Sequence, residues 1–385
     1  NVGCSVVEYM RENRRVLVGM SGGIDSSIVC VLLQKRGFEV VGVTMRMWDS
    51  PRHFKEGNVE PDYILSARRL AQQLGIVHHV IDARDVFKNE VVDYFTSEYL
   101  NGRTPNPCVR CNRVIKWDLM SKLADELDCW YLATGHYANV VRLNDNYYIS
   151  KGCDVKKDQS YFLWDVDPSI WKRVLFPLGE ITKNETRDIA KQLGFTDLYT
   201  QKESMEICFV ESDYRDFLKM HCSDRLTQIG QGDYVDREGK KLGSHEGYPF
   251  YTIGQRKGLR IALGVPAFVL KINPLKNTVM LGERSDVEAS EMVVENYRVV
   301  SFKDFDEPVS VQIRYRSVGI PAQITFVDET LLLVRFLEVA SSVAPGQSAV
   351  FYKEGIVLGG GVIGNDKCLK STKKRLKKLQ ESNLD

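Results

Sequence analysis

At 385 residues the chain exceeds the usual span of one hydrophobic core, so two or three domains are expected. Lys and Arg total 52 against 51 for Asp and Glu, a net charge of +1, which excludes a globally basic nucleic-acid binder and leaves only local patches. Apolar residues make up 43%, yet no run approaches the roughly 18 needed to span a membrane, and no signal-like apolar stretch stands near the N-terminus. Nine cysteines, an odd number, fit a reducing compartment in which a special cysteine is catalytic or metal-bound. The expectations are a cytoplasmic chain with no membrane partner, working as a monomer.

In chain order, Val16–Val18 reads as a strand and Ser26–Lys35 as a helix ended by Gly37. Val40–Met45 is a second strand. Asp62–Leu74 is a helix with Ala67, Leu70, Ala71 and Leu74 on one face, closed by Gly75. His78–Asp82 is a third strand, Val86–Tyr99 and Lys116–Leu127 are helices, and Trp130–Thr134 is a further strand. This alternation predicts an α/β domain with a parallel sheet, and ligands then bind at the carboxyl ends of its strands. Residues 141–220 carry shorter helices, Lys183–Leu193 the clearest. From about Ile229 the texture turns to glycines and short β runs: Phe268–Ile272, Thr278–Leu281, Val309–Arg314, Ala322–Val327, Leu331–Phe336 and Ala349–Tyr352. The expected domains are 1–220, 221–290 and 291–385, the last a β-barrel. Its basic end (Lys367, Lys370, Lys373, Lys374, Arg375, Lys377, Lys378) reads equally as a solvated tail or an RNA contact.

Two local motifs carry chemistry. The first is Gly19-Met20-Ser21-Gly22-Gly23-Ile24-Asp25-Ser26, between strand and helix. Adjacent glycines let backbone N–H groups approach a ligand, hydroxyls add donors, and the helix start favours an anion. No Gly-Lys-Ser/Thr follows, so it is not a Walker A loop. It resembles the pyrophosphate loop of ATP pyrophosphatases, and Asp25 beside phosphates suggests a metal ion. The second is Thr104-Pro105-Asn106-Pro107-Cys108-Val109-Arg110-Cys111-Asn112. Its CxxC could be half a zinc site, a redox pair or a nucleophile; the missing second half weakens zinc. Arg110 and Arg113 beside a helix start predict a lowered thiol pKa. Cys208, in Glu203–Val210, reads by itself as a core cysteine.

Taken in order, the Gly19–Ser26 loop, Thr104–Asn112, Ala133–Tyr137, Lys157–Leu163, Cys208-Phe209 and Tyr251–Arg256 closely resemble the tRNA-specific 2-thiouridylase family over nearly the whole chain. The resemblance implies a pyrophosphate-loop α/β domain (adenine nucleotide alpha-hydrolase-like, Rossmann-like), a small central domain and a C-terminal β-barrel. It implies ATP with Mg²⁺, tRNA as substrate, and a protein persulfide donor from a sulfur relay or a cysteine desulfurase.

By the same resemblance Gly19, Met20, Ser21, Gly22, Gly23, Ile24, Asp25 and Ser26 hold the ATP phosphates, and Met45 and Gly135 meet the adenosine. Cys208 carries the persulfide sulfur, Cys111 is the nucleophile, and the two close a transient disulfide. Asn106, Pro107 and Cys108 face the target uridine, while Lys157, Asp158, Gln159, Arg314 and Tyr315 contact tRNA. Many relatives carry Asp where this chain has Cys108, so an acid–base role there is in doubt, and Cys108 could instead compete for Cys111. Two other readings stay open. A different ATP pyrophosphatase, of GMP synthetase or argininosuccinate synthase type, would not need the cysteine pair. A non-catalytic RNA-binding or zinc-stabilised module would release no pyrophosphate.

Overall fold

A computed structural model describes residues 13–54, 57–195 and 207–382. The chain divides into two compact units.

The first unit comprises the chain up to Val92, then Cys108–Phe209 and Glu354–Leu358. Its centre is a parallel sheet of β1 (Arg15–Gly19), β2 (Glu39–Arg46), β3 (Val77–Asp82), β4 (Tyr131–Ala133) and, after a hairpin, β7 (Val174–Leu175), in the order β3-β2-β1-β4-β7. Val16, Leu17 and Val18 are fully buried. Such unbroken apolar runs suit strands covered on both faces. The helices Ile24–Lys35 and Asp62–Leu74 pack on the sheet through Ile28, Leu33, Ala67 and Leu70. Gly75 ends the second helix in the left-handed region (φ 65°), where glycine has no side-chain penalty. The strand order reverses between β1 and β4. In an open α/β sheet the crevice at this reversal is where ligands bind.

Two local expectations are corrected here. The helix expected from Lys116 begins at Pro107 and runs through residues 107–126, with a wide π turn over Cys111–Trp117. Proline's missing N–H costs nothing in a first helical turn, so it starts this helix. The stretch 141–220, expected to carry shorter helices, begins instead within the hairpin of β5 (Ala138–Leu143) and β6 (Asn146–Lys151); Ile356 and Val357 add to its edge.

The second unit comprises Asp93–Pro107, Val210–Lys353 and residues from Gly359 onward. A four-stranded sheet orders β10 (Phe268–Asn273), β11 (Thr278–Gly282), β8 (Gly232–Val235) and β9 (Lys241–His245) in that sequence. A six-stranded barrel runs β12 (Glu288–Val299), β15 (Leu331–Ser341), β14 (Ile320–Phe326), β13 (Val309–Gln312), β16 (Ser348–Lys353) and β17 (Ile356–Ile363), closed by β12 on β17. Closure removes the open edges that invite mispairing. The basic end is the helix Asp366–Ser382, tied to the unit by Lys271–Asp366, Lys373–Glu291 and Arg375–Asp328 pairs. Among the described residues no helix is long and apolar enough to cross a membrane.

Candidate active site

The loop after β1 is shaped by its glycines. Gly22 has φ +71°, and a β-carbon there would lie 2.3 Å from the Tyr63 carbonyl oxygen. Gly23 caps the following helix in extended conformation with no side-chain cap bond, which leaves the helix start to an anion. The Ser26 and Ser27 hydroxyls donate to the Gly23 carbonyl (3.1 and 2.8 Å), and the Ser21 N–H donates to Ser26 Oγ (3.2 Å). Met20 is fixed from both ends: its N–H donates to the Val43 carbonyl (2.7 Å), and its carbonyl accepts from Thr44 Oγ1 (2.8 Å). Gly135, just after β4, comes so close that a β-carbon would sit 3.0 Å from the Asp25 β-carbon and 3.1 Å from Ser26 N. Met45 lies buried at the end of β2. The loop and Gly135 thus meet, and Met45 stands at the end of the strand beside β1. A pre-shaped loop with an open helix start fits a nucleotide's phosphates.

Asp25 holds a partner that sequence reasoning missed. Lys183 Nζ lies 2.6 and 2.7 Å from its two carboxylate oxygens, and the Tyr137 hydroxyl donates to Oδ1 at 2.9 Å. The Asp-Lys separation is 158 positions. The sequence marks Lys183 only as the first residue of a helix, and no local signal ties it to Asp25.

The cysteines are brought together by the helical stretch 84–92. Phe87 packs edge-on against Phe209 (5.6 Å between centroids), which also meets Trp48 at 6.3 Å. Phe209 is almost fully buried and anchors Cys208, whose carbonyl accepts from Arg52. One helical turn on from Phe87, Glu90 pairs with Arg110, between the two cysteines of the CxxC. Cys108, Cys111 and Cys208 are all free and lie near enough for their charges to interact, and Lys116 faces all three. The rest of the Cys208 motif, residues 203–206, lies outside the described residues.

The lowered thiol pKa is overturned. Burial pushes Cys108 up to about 11 and Cys111 up to about 12, against the pull of Lys116. Arg110 and Arg113 do not help, because Glu90 and Asp165 (3.3 Å) take their charges. Cys208 is exposed by surface, yet the crowding around it also raises its thiol. Within the same turn Asn112 Nδ2 donates to the Cys108 carbonyl (3.0 Å), while Asn112 Oδ1 is buried with no hydrogen-bond partner among the described residues. Among the described residues no group of three or more His, Cys, Asp or Glu is placed to hold a metal.

The other expected site residues are more dispersed. Asn106 and Pro107 belong to the second unit, where Gln347 Nε2 donates to the Thr104 and Pro105 carbonyls (3.1 and 3.0 Å) and Asn106 Nδ2 to Ser348 Oγ (3.4 Å). Lys157 is half-buried in a loop of the first unit. Asp158 accepts from the Gly152 and Ser160 N–H groups and the Ser160 hydroxyl, so it braces that loop, and burial raises its pKa. Gln159 Oε1 accepts from the Tyr137 N–H (3.1 Å). Arg314 and Tyr315 stand in a tight turn after β13, not on a strand edge; the Ser317 N–H donates to the Arg314 carbonyl (3.1 Å). The Arg316 guanidinium stacks 5.0 Å over the Tyr315 ring.

Three matches to known families follow one another along residues 14–363. Residues 14–212 match the family described as tRNA methyl transferase HUP domain, 215–283 the tRNA methyl transferase PRC-barrel domain, and 290–363 the aminomethyltransferase beta-barrel domain. A protein of Phocaeicola vulgatus named tRNA-specific 2-thiouridylase MnmA 3 is 52% identical, over 92% of this chain and 96% of its own length. A Bacteroides fragilis protein of the same name is 49% identical over 93% and 96%, and the tRNA-specific 2-thiouridylase MnmA of Amoebophilus asiaticus is 46% identical over 91% and 95%. At this identity and coverage the chain belongs to the tRNA-specific 2-thiouridylase family.

Proposed function

We propose that this protein is an ATP-dependent tRNA-uridine 2-sulfurtransferase acting on the wobble uridine. The observation that supports the reading most is that Cys111 and Cys208, far apart in the chain, lie near enough for their charges to interact, with their segments docked on neighbouring turns of helix 84–92. The uracil 2-carbonyl oxygen is a poor leaving group, and ATP with Mg²⁺ supplies the adenylyl group that makes it a good one, with pyrophosphate released. The Ser21–Ser26 loop binds and orients the phosphates by backbone N–H groups and hydroxyls. Asp25 is the carboxylate at hand for the magnesium. Base chemistry requires the uridine to leave its stack, and Asn106, Pro107 and Cys108 are the residues assigned to face it.

Cys208 carries a terminal persulfide sulfur loaded by a donor protein. That sulfur attacks the activated carbon, AMP departs, and Cys208 is joined to the base through a disulfide. The Cys111 thiolate attacks Cys208 Sγ, which leaves the sulfur on the base and closes the Cys111–Cys208 disulfide. An external thiol then reduces that bond. Burial raises all three thiols, and Lys116 is the cation that pulls against it toward the thiolate. The need for reduced thiols places this cycle in the cytoplasm. Lys157, Arg314 and Tyr315 have the chemistry to meet tRNA, by phosphate contact and base stacking.

The test is nucleoside mass spectrometry of tRNA after reaction with ATP, a persulfide donor and a reductant. Cys111→Ser and Cys208→Ser should each lower multiple-turnover 2-thiouridine formation on the order of 10³-fold or more. Sustained turnover in either variant rejects the two-cysteine scheme.

A further inference from the structure

Lys183 is held by more contacts than its ion pair with Asp25 alone. Thr182 caps its helix with a reciprocal bond to Glu185, so the first turn is rigid. The Lys183 N–H is held by Asp154 Oδ2 at 3.0 Å. Its side chain is only 7% exposed, with the ammonium across both oxygens of Asp25 and 5.7 Å over the Tyr137 ring. Tyr137 is itself within 3.0 Å of Thr186 Oγ1 on the same helix. Asp25 lies in the first turn after the phosphate loop. An ammonium is therefore stored, nearly dry, beside the phosphate loop.

Burying an ion pair is a weak way to stabilise a fold, because desolvation offsets most of the attraction. At this spot it solves a different problem. A bare carboxylate in a phosphate loop would repel a triphosphate, and a bare buried ammonium would be costly. Paired, the two cancel. A magnesium–nucleotide complex presents the opposite set of charges, a cation for Asp25 and phosphate oxygens for Lys183.

We propose that Lys183 is a phosphate-binding residue held in reserve on Asp25, exchanging its carboxylate partner for the pyrophosphate end of ATP when the nucleotide enters. This deepens the ATP reading given above and rests on it. The exchange makes one prediction that a structural role does not. Loss of Lys183 should weaken ligands carrying the pyrophosphate group and spare AMP.

The experiment is calorimetric titration of the full chain, without tRNA and with magnesium, using ATP, inorganic pyrophosphate and AMP as probes. Lys183→Met should weaken ATP and pyrophosphate about tenfold or more and leave AMP within about twofold; Lys183→Arg should stay near wild type. Because Lys183→Met leaves the Asp25 carboxylate unpaired, D25N and D25N/K183M are compared as well. Their melting temperatures check the fold, and the double variant should bind pyrophosphate more weakly than D25N. Unchanged pyrophosphate affinity in K183M, or an equal loss for AMP, overturns the proposal while leaving the ATP reading intact. A wild-type protein that binds neither ATP nor pyrophosphate rejects both.

Discussion

Cys111 shows how far a residue's surroundings can override its local sequence. Two arginines flank it, but each is already neutralised by a carboxylate, and burial dominates. Its thiol is pushed from about 9 to about 12, so the folded chain keeps a proton that the unfolded chain releases. The sign follows. This group's contribution to stability is complete below about pH 9 and is lost as pH rises toward about 12. Reactivity at neutral pH should follow access. Iodoacetamide at pH 7.5 should label exposed Cys208 well before buried Cys111, as read by peptide mass spectrometry, and Cys111 labelling should climb as the pH is raised. Equal labelling of the two at pH 7.5 would contradict the buried-thiol assignment. The arginine partners could not be read from the chain because Glu90 lies 20 positions from Arg110 and Asp165 lies 52 from Arg113. The loop at Gly22 was readable because a glycine turn between strand and helix is local information. Lys183 was not, since only folding brings it to Asp25.

At the scale of elements, the helix 84–92 does most to build the cysteine site. Its Phe87 receives Phe209, and its Glu90 receives Arg110. The sequence shows a helix here by its apolar spacing, but not that two distant segments dock on neighbouring turns. Phe209→Ala should cost about 3 kcal/mol of local packing and free the Cys208 segment. Formation of the Cys111–Cys208 disulfide after one turnover, measured by intact and peptide mass, should then fall several-fold while ATP affinity stays as in wild type. Wild-type disulfide yield in this variant would show that Phe209 does not position Cys208. The CxxC helix carries a similar lesson. Pro107 opens the helix ahead of the Lys116 start that the sequence suggests, and the π turn at Cys111–Trp117 has no sequence signature of its own. Wide turns of this kind often mark functional positions, because they re-aim side chains without ending the helix.

For the molecule as a whole, the residues proposed to meet tRNA are divided between the units, with Lys157 in the first and Arg314 and Tyr315 in the second. The phosphate loop, Asp25, Lys183 and the three thiols all belong to the first unit, whereas the Arg314–Tyr315 turn and the basic helix Asp366–Ser382 belong to the second. A net charge of +1 hides this, since the last helix alone has seven Lys and Arg against Asp366 and Glu381. The matched barrel domain ends at residue 363, before that helix begins. Lys373 and Arg375 are spent in holding the helix to its unit, while Lys367, Lys370 and Lys374 are exposed. Arginine and lysine on a phosphate backbone make affinity salt-dependent, and a stacked tyrosine contributes about 1–3 kcal/mol per base. The K367Q/K370Q/K374Q variant should raise the KM for tRNA several-fold and flatten its salt dependence, and R314A/Y315A should raise it about tenfold. Neither should change ATP affinity or kcat. If the two surfaces act independently, their effects multiply in the combined variant. A tRNA KM that moves with neither set would leave these surfaces without an RNA role, and a loss of ATP affinity would show that the second unit supports the nucleotide site directly.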